Sequence, residues 1–322
     1  MPQVSNNPTQ KAQLSRARGC LIGQLAGDAL GSLVEFKSIE EIRESYPNGV
    51  RELTDGGAFN TIAGQPTDDS EMALMLARTL IDRGAFDCES IFLAYRFWLD
   101  SKPFDLGRTV ASGLRGHPNF ESQANGAMMR ISPLGIFGVG FTQDLIAEWA
   151  ELDAGLTHPN KQCQHANALF VTAIAQAIGT GCKPQELYLS IQNRVREISS
   201  DPALRKSVFE AKISPPADFS HHKGHVLIAF QNALWQLLNA PTFEEGIVDT
   251  ISRGGDTDTN AAICGALLGA VYGLEAIPAQ WTEKILSCRP QAGKPGVHQP
   301  RPEFFWPVDA LELAEKLLNI KS

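Results

Sequence analysis

Apolar residues recur at three- and four-residue spacing along most of the chain, and strand-like alternation is almost absent. That periodicity predicts helices over Gln10–Leu33, Asp69–Gly84, Cys88–Leu99, Asp144–Leu152, Gln164–Ile178, Pro184–Ile198 and Pro202–Phe209. It predicts further helices over His225–Leu238, Phe243–Ser252, Asn260–Leu274 and Val308–Leu318. The expected fold class is therefore all-α. Pro47-Asn48-Gly49, Gly56-Gly57 and Gly64-Gln65-Pro66 punctuate a loop-rich stretch between the first two helices. The Pro- and Gly-rich runs Lys212–Lys223 and Arg289–Pro307 read as surface connections, not domain boundaries. No repeat of fixed period is evident, which argues against a solenoid.

The first helix carries Gly19, Gly23, Gly27 and Gly31, one every fourth residue. Each weakens a helix by about 1 kcal/mol relative to alanine, so the row needs a compensating close approach of another backbone. Gly265, Gly269 and Gly273 form a matching row on the helix after Asp258. The two rows can pack on each other, or each can meet a different bulky neighbour; the sequence leaves both arrangements open.

Composition narrows the function. With 43% hydrophobic and 20% charged residues among 322, the chain reads as an ordinary globular protein with a substantial core. Its net charge of -8 argues against broad nucleic-acid or anionic-membrane binding. The six cysteines are scattered without C-x-x-C spacing, as expected of free thiols in a reducing compartment. The apolar run Ala261–Leu274 is too short to span a bilayer. Residues Met1–Gln10 are polar, lack the regions of a signal peptide and read as a frayed tail. A cytoplasmic protein is expected, with a flexible tail over residues 1–10 and one domain over 11–322.

Two acidic steps carry the candidate chemistry: Pro66-Thr67-Asp68-Asp69-Ser70-Glu71 and Gly254-Gly255-Asp256-Thr257-Asp258-Thr259, each opening into an apolar helix. Capping explains one acid at each helix start, and Asp68 with Glu71 matches a capping-box spacing. It does not account for Asp68 beside Asp69, or for Asp256 next but one to Asp258. Paired acids repel unless a cation compensates, and an oxygen-only set suits a hard divalent ion such as Mg²⁺ or Mn²⁺. From the residues alone, capping and metal binding both stay open.

An ordered set of motifs resembles the ADP-ribosylglycohydrolase family over nearly the whole chain. It runs from Gly19-Cys20-Leu21-Ile22-Gly23 and Gly27-Asp28-Ala29-Leu30-Gly31 through Pro66–Ser70 to Pro103-Phe104-Asp105-Leu106-Gly107. It continues through Asn125-Gly126-Ala127-Met128-Met129-Arg130, Leu156-Thr157-His158-Pro159 and Gly254–Thr259. The resemblance implies a compact, single-domain, all-α bundle with a binuclear centre of Mg²⁺ or Mn²⁺ ions. It implies Thr67, Asp68, Asp69, Asp256, Asp258 and Thr259 as ligands, with Ser70 where the family often has threonine. Glu35 matches the acid after the first glycine-rich helix, and Asp105 a carboxylate near the metals or on the acceptor side. Ser122, Asn125 and Gly126 match a loop whose N–H groups cradle a pyrophosphate, and His158 a histidine near the substrate. Phe120 stacks on adenine or walls the cleft in this reading, a core aromatic being the plainer alternative.

The reaction implied is hydrolysis of the bond between ribose C1″ and a modified side chain, with arginine on a protein preferred as acceptor. Asp68, Asp69 and Asp256 are candidate bases, and Glu35 or Asp105 assists the leaving group. A serine or nucleic-acid linkage and O-acetyl-ADP-ribose are alternative substrates. Because some relatives are non-catalytic, as in eye-lens crystallins, a binding or structural role is the alternative of another class. The expected partners are an ADP-ribosylated protein and ADP-ribose, bound by a monomer.

Overall fold

The structure, a computed structural model, describes residues 8–320. Of the expected tail, residues 1–7 lie outside the described residues, while residues 8–10 already form the first turn of helix α1 (Pro8–Gly31). Proline is favoured there because a first-turn residue has no intrahelical use for its N–H.

After α1 come α2 (Ile39–Ser45), fixed by a capping box between Ser38 and Glu41, and α3 (Asp68–Arg83), closed by left-handed Gly84. Then follow α4 (Cys88–Asp100), α5 (Arg108–Leu114), α6 (Ser132–Phe137), α7 (Gln143–Gly155) and α8 (Lys161–Thr180). Next are α9 (Pro184–Ile198), α10 (Pro202–Glu210), α11 (Val226–Asn239) and α12 (Phe243–Ser252). The set closes with α13 (Thr257–Tyr272), α14 (Ala279–Ser287) and α15 (Ala310–Asn319). Among the described residues the only β pairings are isolated bridges, Gly56 with Thr61 and Ala124 with His225. The four helices that periodicity does not single out, α2, α5, α6 and α14, are six to nine residues long, a length over which a 3.6-residue repeat is weak; α10, also of nine residues, is marked besides by the Asp201-Pro202 start.

At the centre α1 and α13 run antiparallel, and their glycine rows meet each other. A methyl group added at Gly23 would sit 2.3 Å from the Gly265 carbonyl oxygen, and one at Gly269 would sit 2.0 Å from that of Gly19. Only hydrogen side chains let the two backbones approach so closely. Both helices are buried on every side over long stretches, Gly19 to Gly31 in α1 and Thr257 to Ala270 in α13. Helices α11 and α12 pack on α13, α15 packs on α1, and α8 lies behind with α6, α7 and α9 around it.

The run Arg289–Pro307 is more than a surface connection. Arg301 from it is 6% exposed and donates from Nε and Nη2 to the Glu71 carboxylate, each at 2.8 Å, and from Nη1 to the Ser101 carbonyl at 3.1 Å. A buried carboxylate needs such a partner, so the segment is anchored to α3 by an ion pair. Among the described residues no helix is long and apolar enough to cross a membrane, and all six cysteines are free.

Candidate active site

The central pair brings the end of α1 to the start of α13. Thr257 Oγ1 donates to the Gly31 carbonyl at 2.8 Å, and a methyl group at Gly31 would lie 2.4 Å from Asp258 Cα. Glu35, on the turn leaving α1, therefore stands against Asp258. The start of α3 reaches the same point through Asp28, buried in α1. Asp28 accepts from the Thr67 hydroxyl at 2.8 Å, from the Thr67 N–H at 3.1 Å and from the Ser70 N–H at 3.2 Å. Gly107 N–H donates to Asp68 at 3.2 Å, which ties the segment carrying Asp105 to α3.

Carboxylates from distant parts of the chain thus converge. One oxygen each of Glu35, Asp105 and Asp258 lies within 4.8 Å of the others. Asp68, Asp256, Asp258 and Thr259 line the same cleft, and Thr67 and Asp69 are buried beside it. Burial first, and then repulsion from neighbouring acids, raises the pKa of five of them. Asp68 is pushed up to about 6, Glu35 to about 7 and Asp105 to about 10. Asp69 and Asp258 are also raised well above the ordinary carboxylate range. Asp69 Oδ1 and Glu35 Oε2 are buried without a hydrogen-bond partner in the protein. A set of clustered oxygens with orphaned lone pairs fits a hard divalent cation.

Capping does not explain these acids. Thr67 and Asp256 occupy the N-cap positions of α3 and α13, and neither side chain caps its helix. Nor is Glu71 part of a capping box, because its carboxylate is taken by Arg301 and by Trp98 Nε1 at 2.8 Å. The local spacing matched, but a partner 230 residues away won.

The cleft has a volume of about 380 Å³, and its far side is formed by Asn125, Gly126, His158, Arg108, Thr109, Lys223 and Gly224. Asn125 Nδ2 donates to Asp256 at 2.8 Å and so joins this side to the acids. His158 is fully buried, and desolvation together with the nearby Arg130 charge lowers its pKa to about 3, leaving a neutral ring. Two expected residues stand outside the lining of the cleft. Phe120 is 64% exposed and does not line the cleft, because its carbonyl is held by Asn160 Nδ2 at 3.0 Å in a turn that aims the ring at solvent. The same exposure rules out a core role. Ser122 does not line it either; its hydroxyl is 2.8 Å from that of Thr109, which does.

Asp28, Arg108 and Lys223 also stand at the site, with Arg130 directly behind it, and no motif in the sequence assigns them there. The available signal for Asp28 is a charge inside Gly19–Gly31, the otherwise uncharged second half of α1, which only a buried partner justifies.

These elements agree with what the chain resembles. The family model for ADP-ribosylglycohydrolase matches residues 9–318. The ADP-ribosyl-[dinitrogen reductase] glycohydrolase of Rhodospirillum rubrum is 31% identical over 284 residues, covering 84% of this chain and 90% of that protein. The ADP-ribosylarginine hydrolase Tri1 of Pseudomonas putida is 28% identical, covering 86% of this chain and 76% of that protein. A solved structure described as an ADP-ribosylglycohydrolase-related protein complex superposes with a TM-score of 0.79 at 26% identity, covering 97% of this chain and all of that one. With one family model running from the first described helix to the last, the chain belongs to the ADP-ribosylglycohydrolase family of hydrolases.

Proposed function

We propose that the protein hydrolyses the bond between ADP-ribose and an arginine side chain of a modified protein, using two divalent cations, Mg²⁺ or Mn²⁺. The observation that carries this reading is the convergence of Glu35, Asp68, Asp105 and Asp258 on one cleft from separate parts of the chain. The relatives that act on ADP-ribosylarginine and ADP-ribosyl-dinitrogen reductase, by their names, support the acceptor. So does the site itself, since an acidic cleft suits a guanidinium.

Thr67, Asp68, Asp69, Asp256, Asp258 and Thr259 would hold the cations, with Glu35 and Asp105 in reach of the same space as Asp258. Bound there, the ions would supply Lewis acidity toward the ribose hydroxyls and a water. The protein's own part is positioning and proton transfer. Asn125, Gly126 and His158 bind the ADP-ribose end, and Asp28 holds the start of α3 in register. Asp68, Asp69 or Asp256 accepts the proton of the attacking water. Before cations bind, burial first and then the charges of Asp68 and Glu35 push Asp105 up to about 10, which makes it our candidate to protonate the departing nitrogen, with Glu35 as the alternate donor. The six free thiols support a reducing, cytoplasmic setting, and we propose a monomer folded as one domain.

The test is release of ADP-ribose from ADP-ribosylarginine, with serine- and nucleic-acid-linked substrates in parallel. Activity is expected on the arginine linkage with Mg²⁺ or Mn²⁺, and loss in EDTA or in Asp256→Ala. Undiminished activity in either condition rules out the metal mechanism, and preference for another linkage rules out the acceptor.

A further inference from the structure

Behind the loop carrying Asn125 and Gly126, five side chains with 0% exposure form one connected chain: Tyr95, Asp153, Arg130, Thr157 and His158. Tyr95 donates from its hydroxyl to Asp153 at 2.8 Å. Arg130 donates from Nε to the Asp153 carboxylate at 3.2 Å and from Nη2 to the Asp153 carbonyl at 2.9 Å, with its guanidinium 4.4 Å from the Tyr95 ring centre. Its remaining nitrogen, Nη1, donates to Thr157 Oγ1 at 2.8 Å and to the Gly126 carbonyl at 3.4 Å. Thr157 Oγ1 lies 2.8 Å from His158 Nδ1, and His158 Nε2 has no partner in the protein.

The protons along this chain follow from what each group is able to do. A guanidinium only donates, so Thr157 Oγ1 accepts from Arg130 and must send its own proton elsewhere. The acceptor within its reach is His158 Nδ1. Nδ1 is then bare, and in a neutral ring the proton sits on Nε2. Burial first, and the neighbouring guanidinium charge second, keep the ring from taking a second proton. Nε2 faces the cleft past Gly126, where a methyl group would lie 3.1 Å from His158 Cε1 and 3.3 Å from Nε2. Only a glycine at residue 126 lets the edge of this buried ring reach the lining of the cleft, with Nε2 unpartnered behind it.

We propose that Arg130 is a positioning residue: acting through Thr157, it holds His158 in the tautomer whose Nε2–H donates past Gly126 to an oxygen of bound ADP-ribose. His158 is thereby a fixed donor that reads the ligand and takes no proton from the attacking water. The inference rests on the reading that this cleft takes ADP-ribose.

Nitrogen NMR of the imidazole rings, with the His158 signals identified by their loss in His158→Gln, tests the tautomer in the free protein. Nδ1 is expected bare and Nε2 protonated. Thr157→Val, close to isosteric, removes the hydroxyl; calorimetry should then show ADP-ribose binding about tenfold weaker, the scale of one lost hydrogen bond. KM should rise by a similar factor with kcat nearly unchanged, because the contact serves ground and transition states alike, and Thr157→Ser should restore both. A protonated Nδ1 in the wild type, or Thr157→Val binding ADP-ribose as tightly as the wild type, overturns the proposal alone. A wild-type protein that binds no ADP-ribose overturns the reading of the cleft and this proposal with it.

Discussion

Replacing Gly27 by alanine isolates the contact on which the site is built. The new methyl carbon would lie 2.1 Å from the Ala261 carbonyl oxygen and 2.4 Å from its carbon. Against the 3.4 Å at which ordinary contact begins, the shortfall is about 1.3 Å. Both obstructing atoms are backbone of a fully buried helix, so no side chain can swing aside and α1 and α13 must move apart. Overpacking of this kind costs about 1–3 kcal/mol, and a rigid obstacle puts it at the upper end. Alanine's better helix propensity returns about 1 kcal/mol, leaving a net loss of about 2 kcal/mol. Gly179→Ala in α8 is the control, since its methyl carbon would meet only Val139 Cγ1 at 3.7 Å. It should keep the propensity gain and be neutral or slightly stabilising. Urea unfolding of both variants, with ADP-ribose release measured on the folded proteins, gives the comparison. Gly27→Ala should lose stability and activity together, because Asp258 and Thr259 ride on the displaced end of α13. A Gly27→Ala protein as stable and active as the wild type would refute the reasoning.

Three further outcomes are expected. Asp28→Asn weakens the tether on Thr67 and Ser70, so half-activation of the folded protein by Mn²⁺ should need about 10–100-fold more metal, with some loss of thermal stability from the unpaired N–H groups; an unshifted Mn²⁺ titration counts against the role of Asp28. His158 has a folded pKa of about 3 against about 6.5 unfolded, so the unfolded chain takes the proton first and stability falls as pH drops from about 6.5 toward 3. At pH 5 that loss is about 2 kcal/mol, and urea unfolding of His158→Gln should show an acid loss smaller by that amount, whereas equal losses in both proteins would contradict it. Arg301→Met strands the Glu71 carboxylate and should cost about 3 kcal/mol, less in the double variant with Glu71→Gln; a double-mutant cycle without coupling would count against a buried pair.

The long helices and the paired acidic steps were legible because their signals are local. Each glycine row announced a close backbone neighbour, but no periodicity says which neighbour, and only the fold shows that the rows at Gly23 and Gly265 meet. The capping reading of Glu71 failed for the opposite reason: its local spacing was right, and Arg301, far along the chain, held the carboxylate. Asp28 and Arg130 stayed unassigned because their significance is in the company they keep, a threonine hydroxyl in each case, and neither hydroxyl is near in sequence. Of the two readings of Phe120, its 64% exposure excludes the core aromatic, which a lone ring beside a small-residue loop does not reveal.

The hydrogen bond from Thr257 to Gly31 has a consequence for how the protein is made. Glu35, Asp68 and Asp105 leave the ribosome early, but the helix that gathers them around Asp258 comes near the end of translation. Until then the glycine row of α1 lacks the backbone that packs against it in the finished fold. A product cut short before α13 would keep most of its length yet lack Asp258 and Thr259, and with them one wall of the cleft.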